Sequence, residues 1–96
     1  MVVEEVQELS VTLYSSSFCG ACSSTRQTLE RIAPLVGDRV GWSEINVADA
    51  PEASEAAGIT VTPTVIITAA DGTERMRASG VPTAEHVLRA LAAALP

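Results

Sequence analysis

Cys19 and Cys22 are the chain's two cysteines, and Gly20 and Ala21 stand between them. A pair spaced this way suits two chemistries: reversible dithiol–disulfide exchange, or half of a metal site. The pair falls where a strand-like pattern ends and a helix-like pattern begins. Unpaired amides and the macrodipole at a helix start favour negative charge, so the Cys19 thiolate is expected to be stabilised there. Cys22, one turn further on, is expected to be more buried and less acidic. Such a pair divides the work of exchange: Cys19 attacks a disulfide and Cys22 resolves the mixed disulfide, with Gly20-Ala21 keeping them close enough to bridge. A metal site usually needs four ligands, and the one histidine, His86, is distant in sequence, so that alternative requires a second chain. A purely structural role is disfavoured because so short a loop constrains the unfolded chain little.

The elements that must hold the pair are legible from periodicity. Leu9, Val11 and Leu13 alternate with Ser10, Thr12 and Tyr14, a strand over 9–14 that Ser15 to Ser17 should break. From Cys19 onward, Cys22, Leu29, Ile32, Ala33 and Val36 suit one helical face, and Pro34 should kink or stop the helix near Ala33. Residues 40–47, with Trp42 among them, form a second strand. Asp49 and Glu52 resemble a capping box for a short helix over 50–57, ended by Gly58. Residues 64–68 and 73–78 flank the turn signal Asp71-Gly72 and form a hairpin. Thr83 caps a last helix whose Val87, Leu88, Leu91 and Leu95 share a face. The order β-α-β-α-β-β-α predicts an α/β fold, a central mixed four-stranded sheet flanked by three helices. One domain over 1–96 is expected, with residues 1–8 a loosely ordered tail.

Composition removes other classes. The chain has 96 residues, 47% hydrophobic but only 3% aromatic, so the core must be aliphatic. It has no lysine, which excludes P-loop and Schiff-base lysine chemistry. Twelve acids against six arginines give a net charge of −6, which argues against nucleic acid as a partner. No apolar run approaches the roughly 20 residues of a membrane span, so no membrane association is expected. Glu4, Glu5 and Glu8 stand where a secretory signal would be basic and then apolar, so a cytoplasmic location is expected. Ser15 to Ser17 are read as loop, since no histidine and acid accompany them. Arg26 is read as a solvated helix charge paired with Glu30, His86 as exposed, and Trp42 as packing on or shielding a sheet edge.

Phe18-Cys19-Gly20-Ala21-Cys22 resembles the aromatic-Cys-Gly-Pro-Cys active site of the thioredoxin superfamily, and Val61-Thr62-Pro63-Thr64 resembles that family's cis-proline segment. The separation of Cys22 from Pro63 agrees, and Gly80 falls where the family has a glycine before its last helix. The resemblance spans 9–95. It implies a minimal, glutaredoxin-sized thioredoxin-like fold, with Cys19 as nucleophile, Cys22 as resolving thiol, and Phe18, Gly20, Ala21, Thr62, Pro63 and Gly80 around the substrate. It further implies that Thr62–Pro63 is cis beside the pair, leaving the Thr62 backbone free to pair with an extended substrate. No cofactor is implied beyond the redox-active Cys19–Cys22 disulfide. The implied partners are protein disulfides and an upstream electron donor, either a thioredoxin-reductase-like protein or a low-molecular-weight thiol, acting on a monomer. Three positions depart from the pattern: Ala21 replaces proline, Phe18 replaces tryptophan, and Leu13 replaces a buried aspartate whose lysine partner is missing too. Proton transfer at Cys22 must then use water, substrate or Glu44. Glutaredoxin-like exchange with a low-molecular-weight thiol is the alternative, although Cys-Pro-Tyr-Cys is absent and Gly80-Val81-Pro82 lacks the Gly-Gly-x-Asp contact. A non-catalytic module sharing a metal between two chains through Cys19 and Cys22 is another.

Overall fold

A computed structural model describes residues 7–95. Its elements are β1 (Leu9–Ser15), α1 (Gly20–Val36), a 3-10 turn (Gly37–Arg39), β2 (Val40–Asn46), α2 (Pro51–Ala56), β3 (Thr64–Ala69), β4 (Glu74–Ser79) and α3 (Ala84–Ala94). The strands lie in the order β2-β1-β3-β4. β1 runs parallel to β2, with α1 as the crossover, and antiparallel to β3, which pairs antiparallel with β4. This is the mixed four-stranded sheet with three helices that the sequence order implied.

The period of two in β1 decides which side becomes the core. Leu9, Val11 and Leu13 are buried and stand in register with Val40, Trp42 and Glu44 on one side and with Ala69, Ile67 and Val65 on the other. Leu29 and Ile32 of α1 and Val87 and Leu91 of α3 close over this face, so the fully buried cluster is aliphatic. Trp42 packs against its rim, only partly buried. The other face of the sheet carries hydroxyls: Ser10 is in register with Thr68 and Thr12 with Ser43, the last two 3.2 Å apart at their side-chain oxygens. Those groups can bond to water, so that face needs no helix laid along its whole length. Arg77, opposite Ile66 in register, donates from Nη2 to the Ala57 carbonyl at 2.7 Å and ties the end of α2 to the sheet.

Several sequence expectations are corrected. Helix α1 passes through Pro34 and ends at Val36, because proline removes only its own amide and Leu29 and Ile32 already anchor the face before it. The capping box does not form: Ala50 is the N-cap of α2 without a side-chain bond, Asp49 donates its amide to Asn46 O at 2.9 Å, and Pro51 fills the first turn, where no amide is needed. Ser15 extends β1 instead of breaking it and is buried. Of the expected tail, residues 1–6 lie outside the described residues, whereas Glu8 is fixed: its amide donates to Arg39 O at 2.8 Å, its carbonyl accepts from Ala70 N at 3.1 Å, and its carboxylate pairs with Arg39. Helix α1 also buries Thr25 and Thr28, whose hydroxyls donate to the carbonyls of Ala21 and Ser24 one turn back, at 2.8 and 3.1 Å.

Ile67 is 0% exposed at the middle of β3, opposite Val11. Ile67→Ala is expected to lower unfolding stability by about 2–5 kcal/mol, the cost of a buried aliphatic cavity, read from a denaturant titration.

Candidate active site

The end of β1 and the start of α1 form a short, heavily fastened connection. Ser15 O accepts the amide of Val47 at 2.9 Å, and Asn46 Nδ2 donates to Ser17 Oγ at 3.3 Å, so this loop is held to the end of β2. Phe18 then adopts a left-handed conformation at φ 57, which costs a non-glycine residue roughly 1–3 kcal/mol, and its ring stands wholly in solvent. The turn swings Cys19 into the N-cap position with an extended backbone, φ −110 and ψ 102. Its sulfur accepts the Cys22 amide at 3.0 Å, satisfying one of the donors a helix start leaves free.

Cys19 and Cys22 are joined as a disulfide with their Cα atoms 5.2 Å apart. Cys22 is 1% exposed in the core, while Cys19 is half-buried and open to solvent. Gly20 and Ala21 are exposed on the first turn of the helix between them.

Two further segments meet this one. The Thr62–Pro63 peptide bond is cis and Pro63 is buried. The hydroxyls of Ser16 and Thr62 lie 2.7 Å apart, tying the loop before the cysteines to the loop before β3. Gly80, in the left-handed region at φ 86, donates its amide to Pro63 O at 2.8 Å. Thr64 Oγ1 donates to Val61 O at 2.8 Å and braces the same loop. Phe18, Cys19, Gly20, Ala21, Cys22, Thr62, Pro63 and Gly80 therefore belong to three segments stitched together by hydrogen bonds. Val61 and Val81 join Phe18 as large apolar side chains exposed there. Ser16 is the residue that sequence reasoning missed; set aside as loop, it carries the cross-link, and nothing local signals that its partner is 46 positions away.

Arg26 does not pair with Glu30. It forks onto Glu44, with Nε to Oε1 at 2.6 Å and Nη2 to Oε2 at 2.7 Å, and Oε2 also accepts Ser15 Oγ at 2.8 Å. Glu44 stands in register with Leu13, on the α1 side of the sheet, which is why a helix residue reaches it. The Arg26 hydrogen bonds hold the Glu44 carboxyl below the ordinary glutamate range against partial desolvation, with the Ser15 bond assisting; the same contact raises the Arg26 guanidinium above its usual value. His86 is exposed on α3, its amide donating to Thr83 Oγ1 at 3.1 Å. Among the described residues, no three His, Cys, Asp or Glu side chains group as metal ligands.

The family model described as Thioredoxin matches residues 1–93. The chain belongs to the thioredoxin family. Its fold is similar to chloroplastic thioredoxin z, with a TM-score of 0.81 and 20% identity over 98% of this chain and 97% of that one. It is also similar to thioredoxin-2 of the malaria parasite, with a TM-score of 0.85 and 13% identity over 96% and 88% of the two chains. The Malassezia sympodialis thioredoxin Mala s 13 gives a TM-score of 0.77 and 20% identity over 94% and 78%. No curated protein sequence matches. Thioredoxin-family membership together with the Cys19–Cys22 pair makes the chain a thiol–disulfide oxidoreductase.

Because the Glu44 carboxyl is depressed in the folded state, its pairing adds stability above the ordinary glutamate value of about 4.5 and loses it as pH falls through the lower folded value. Thermal melts of wild type and Glu44→Gln are therefore expected to differ at pH 7, with wild type the more stable, and to converge as the pH is lowered below that value.

Proposed function

We propose that this thioredoxin-family chain reduces protein disulfides, with Cys19 as the attacking thiol and Cys22 as the resolving one. The observation that carries the reading is the asymmetry of the pair: Cys19 is partly exposed at the head of α1 and Cys22 is buried one turn inward.

In the reduced protein, the Cys19 thiolate attacks one sulfur of a substrate disulfide. A Cys19–substrate bond forms, the substrate S–S bond breaks, and the departing thiolate takes a proton from solvent. Cys22, after giving up its proton to solvent, attacks Cys19 Sγ; the Cys19–Cys22 bond re-forms, the mixed disulfide breaks, and the second substrate sulfur leaves as a thiolate that takes a proton from solvent. Two electrons pass from the dithiol to the substrate. An upstream donor, a reductase protein or a low-molecular-weight thiol, must return two electrons to the disulfide, and the cysteines store them without a bound organic group. The helix start supports the charge on Cys19 through its free amides, of which the Cys22 amide already points at the sulfur at 3.0 Å.

Thr62, Pro63 and Gly80 contribute the opposite wall, and Phe18, Gly20 and Ala21 the near one. The exposed loop at Thr62 offers backbone to an extended substrate segment, which fits a polypeptide better than a compact small thiol. The protein is read as a monomer, and the cytoplasmic setting expected from the sequence is kept as part of the proposal.

The test is a pair of substitutions assayed with a disulfide-containing protein substrate. Cys22→Ser is expected to accumulate the mixed disulfide through Cys19, visible as a reductant-sensitive mass increase, and Cys19→Ser to abolish exchange. Turnover retained in Cys19→Ser would remove the assignment.

A further inference from the structure

Packing does little to hold α2 and the residues that lead from it to the cis-proline. Ser54 is the one buried residue of α2, and none of residues 58–62 is buried. Their position therefore depends on hydrogen bonds. At the proline end, Gly80, just past β4, donates its amide to Pro63 O, and the Thr62 hydroxyl meets that of Ser16. At the other end, the amides of Gly58 and Ile59 donate to Glu55 O and Ser54 O at 2.9 and 3.0 Å, which ties the segment to α2 and not to the sheet. The placement of this end therefore rests on whatever fastens α2.

Arg77 of β4 supplies that fastening. Its Nη2 donates at 2.7 Å to the carbonyl of Ala57, the C-cap of α2, and among the described residues this is the only hydrogen bond from a strand to α2 or its caps. A cation on a terminal helix carbonyl makes a charge-assisted bond, stronger than a neutral one. Glu74 aims the guanidinium, accepting from Nε at 3.1 Å and from Nη2 at 2.8 Å. The remaining nitrogen, Nη1, lies over Gly58, 3.8 Å from where a Cβ would stand, at the point where the chain turns away from α2 in the left-handed region, φ 72. The segment from Ala57 to Pro63 is thus pinned at both ends from β4, by Arg77 and by the Gly80 that follows the strand.

Resting on the exchange reading above, we propose that Arg77 is a positioning residue for polypeptide substrates: through the Ala57 carbonyl it fixes where α2 hands the chain to the Thr62 loop, and so sets how tightly a substrate is held. It takes no part in the exchange of sulfurs. The bonds that place Cys19, Val47 N to Ser15 O and Asn46 Nδ2 to Ser17 Oγ, run to β2 and do not pass through Arg77. Loosening the loop therefore weakens binding made alike in the ground and transition states, which raises KM and leaves kcat in place. A small disulfide that meets only the Cys19 sulfur gains nothing from the loop and does not respond.

The experiment compares the full chain with Arg77→Gln and with Arg75→Gln, which removes the same charge from the same strand. Each is assayed for reduction of insulin with dithiothreitol as electron donor, and for oxidation of its dithiol by an uncharged dipyridyl disulfide. Arg77→Gln is expected to raise KM for insulin about fivefold, with kcat and the dipyridyl rate within about twofold of wild type, and Arg75→Gln to leave all three unchanged. Hydrogen exchange supplies a second readout: the Gly58 and Ile59 amides should exchange faster in Arg77→Gln while those of β1 and β3 keep their protection. An unchanged KM, an equal rise in Arg75→Gln, an equal loss toward the dipyridyl disulfide, or unchanged exchange at Gly58 and Ile59 would overturn the proposal while leaving the exchange reading intact. A wild-type chain that neither reduces insulin nor is oxidised by the dipyridyl disulfide would instead overturn the exchange reading, and this one with it.

Discussion

A disulfide that joins a partly exposed residue to a buried one must be held from both sides. Cys22 provides the inner hold: it is 1% exposed and belongs to the buried side of α1 together with Thr25, Thr28, Leu29 and Ile32. The outer hold is the left-handed Phe18 and the N-cap geometry of Cys19, a local conformation that is unfavourable in isolation and persists because Ser15 and Ser17 are fastened to the residues at the end of β2. Strand register fixes that end in turn, since Ser15 pairs with Asn46 at the last step of the parallel ladder. The position of the Cys19 sulfur is thus set by the sheet, through two hydrogen bonds and a buried neighbour.

The three segments around the sulfur are joined by neutral bonds, Ser16 to Thr62, Thr64 to Val61, and Gly80 to Pro63. Each contributes about 0.5–1.5 kcal/mol net, less than a buried charged contact, but none leaves a field or a strongly hydrated group behind. Ion pairs holding the same loops would have to be stripped of water whenever a partner docked, a cost that hydroxyls and backbone amides largely avoid. The ion pair nearest the site, Arg26 with Glu44, acts below the rim, clamping α1 to the edge strand β2.

What the sequence made legible follows from which forces are local. The alternation of Leu9, Val11 and Leu13, the Thr83 cap and the Asp71-Gly72 turn each act within a few residues, and each appears in the structure where the pattern put it. The expected capping box failed because Asn46 captured the turn first: its Oδ1 accepts the Ala48 amide at 3.0 Å, and its carbonyl takes the Asp49 amide, which leaves Asp49 outside the helix start. Thr25 and Thr28 are polar by residue type, yet a threonine that spends its hydroxyl on the preceding turn can be buried with its methyl. The sequence pairs Arg26 with Glu30 because helical neighbours are visible in one dimension; Glu44 is a neighbour only after β2 has paired with β1. The cysteine pair and Pro63 stand out in the sequence by residue type, without their contacts, whereas Ser16 is one serine in a run of three.

The placement of charge can be understood as a division between the sheet's sides and its functional end. Strands at the edges expose unpaired backbone, and charged side chains there discourage another chain from adding on; β4 carries Glu74, Arg75 and Arg77, and β2 carries Glu44. Under the proposed exchange, the end of the sheet bearing the disulfide has the opposite requirement, because a substrate's extended segment would have to approach backbone there. Keeping charge on the edges lets the molecule resist adventitious strand pairing along its sides, which on the proposed function leaves its tip as the place where a segment is accepted. The net charge of −6 then serves solubility from positions outside the three segments around Cys19.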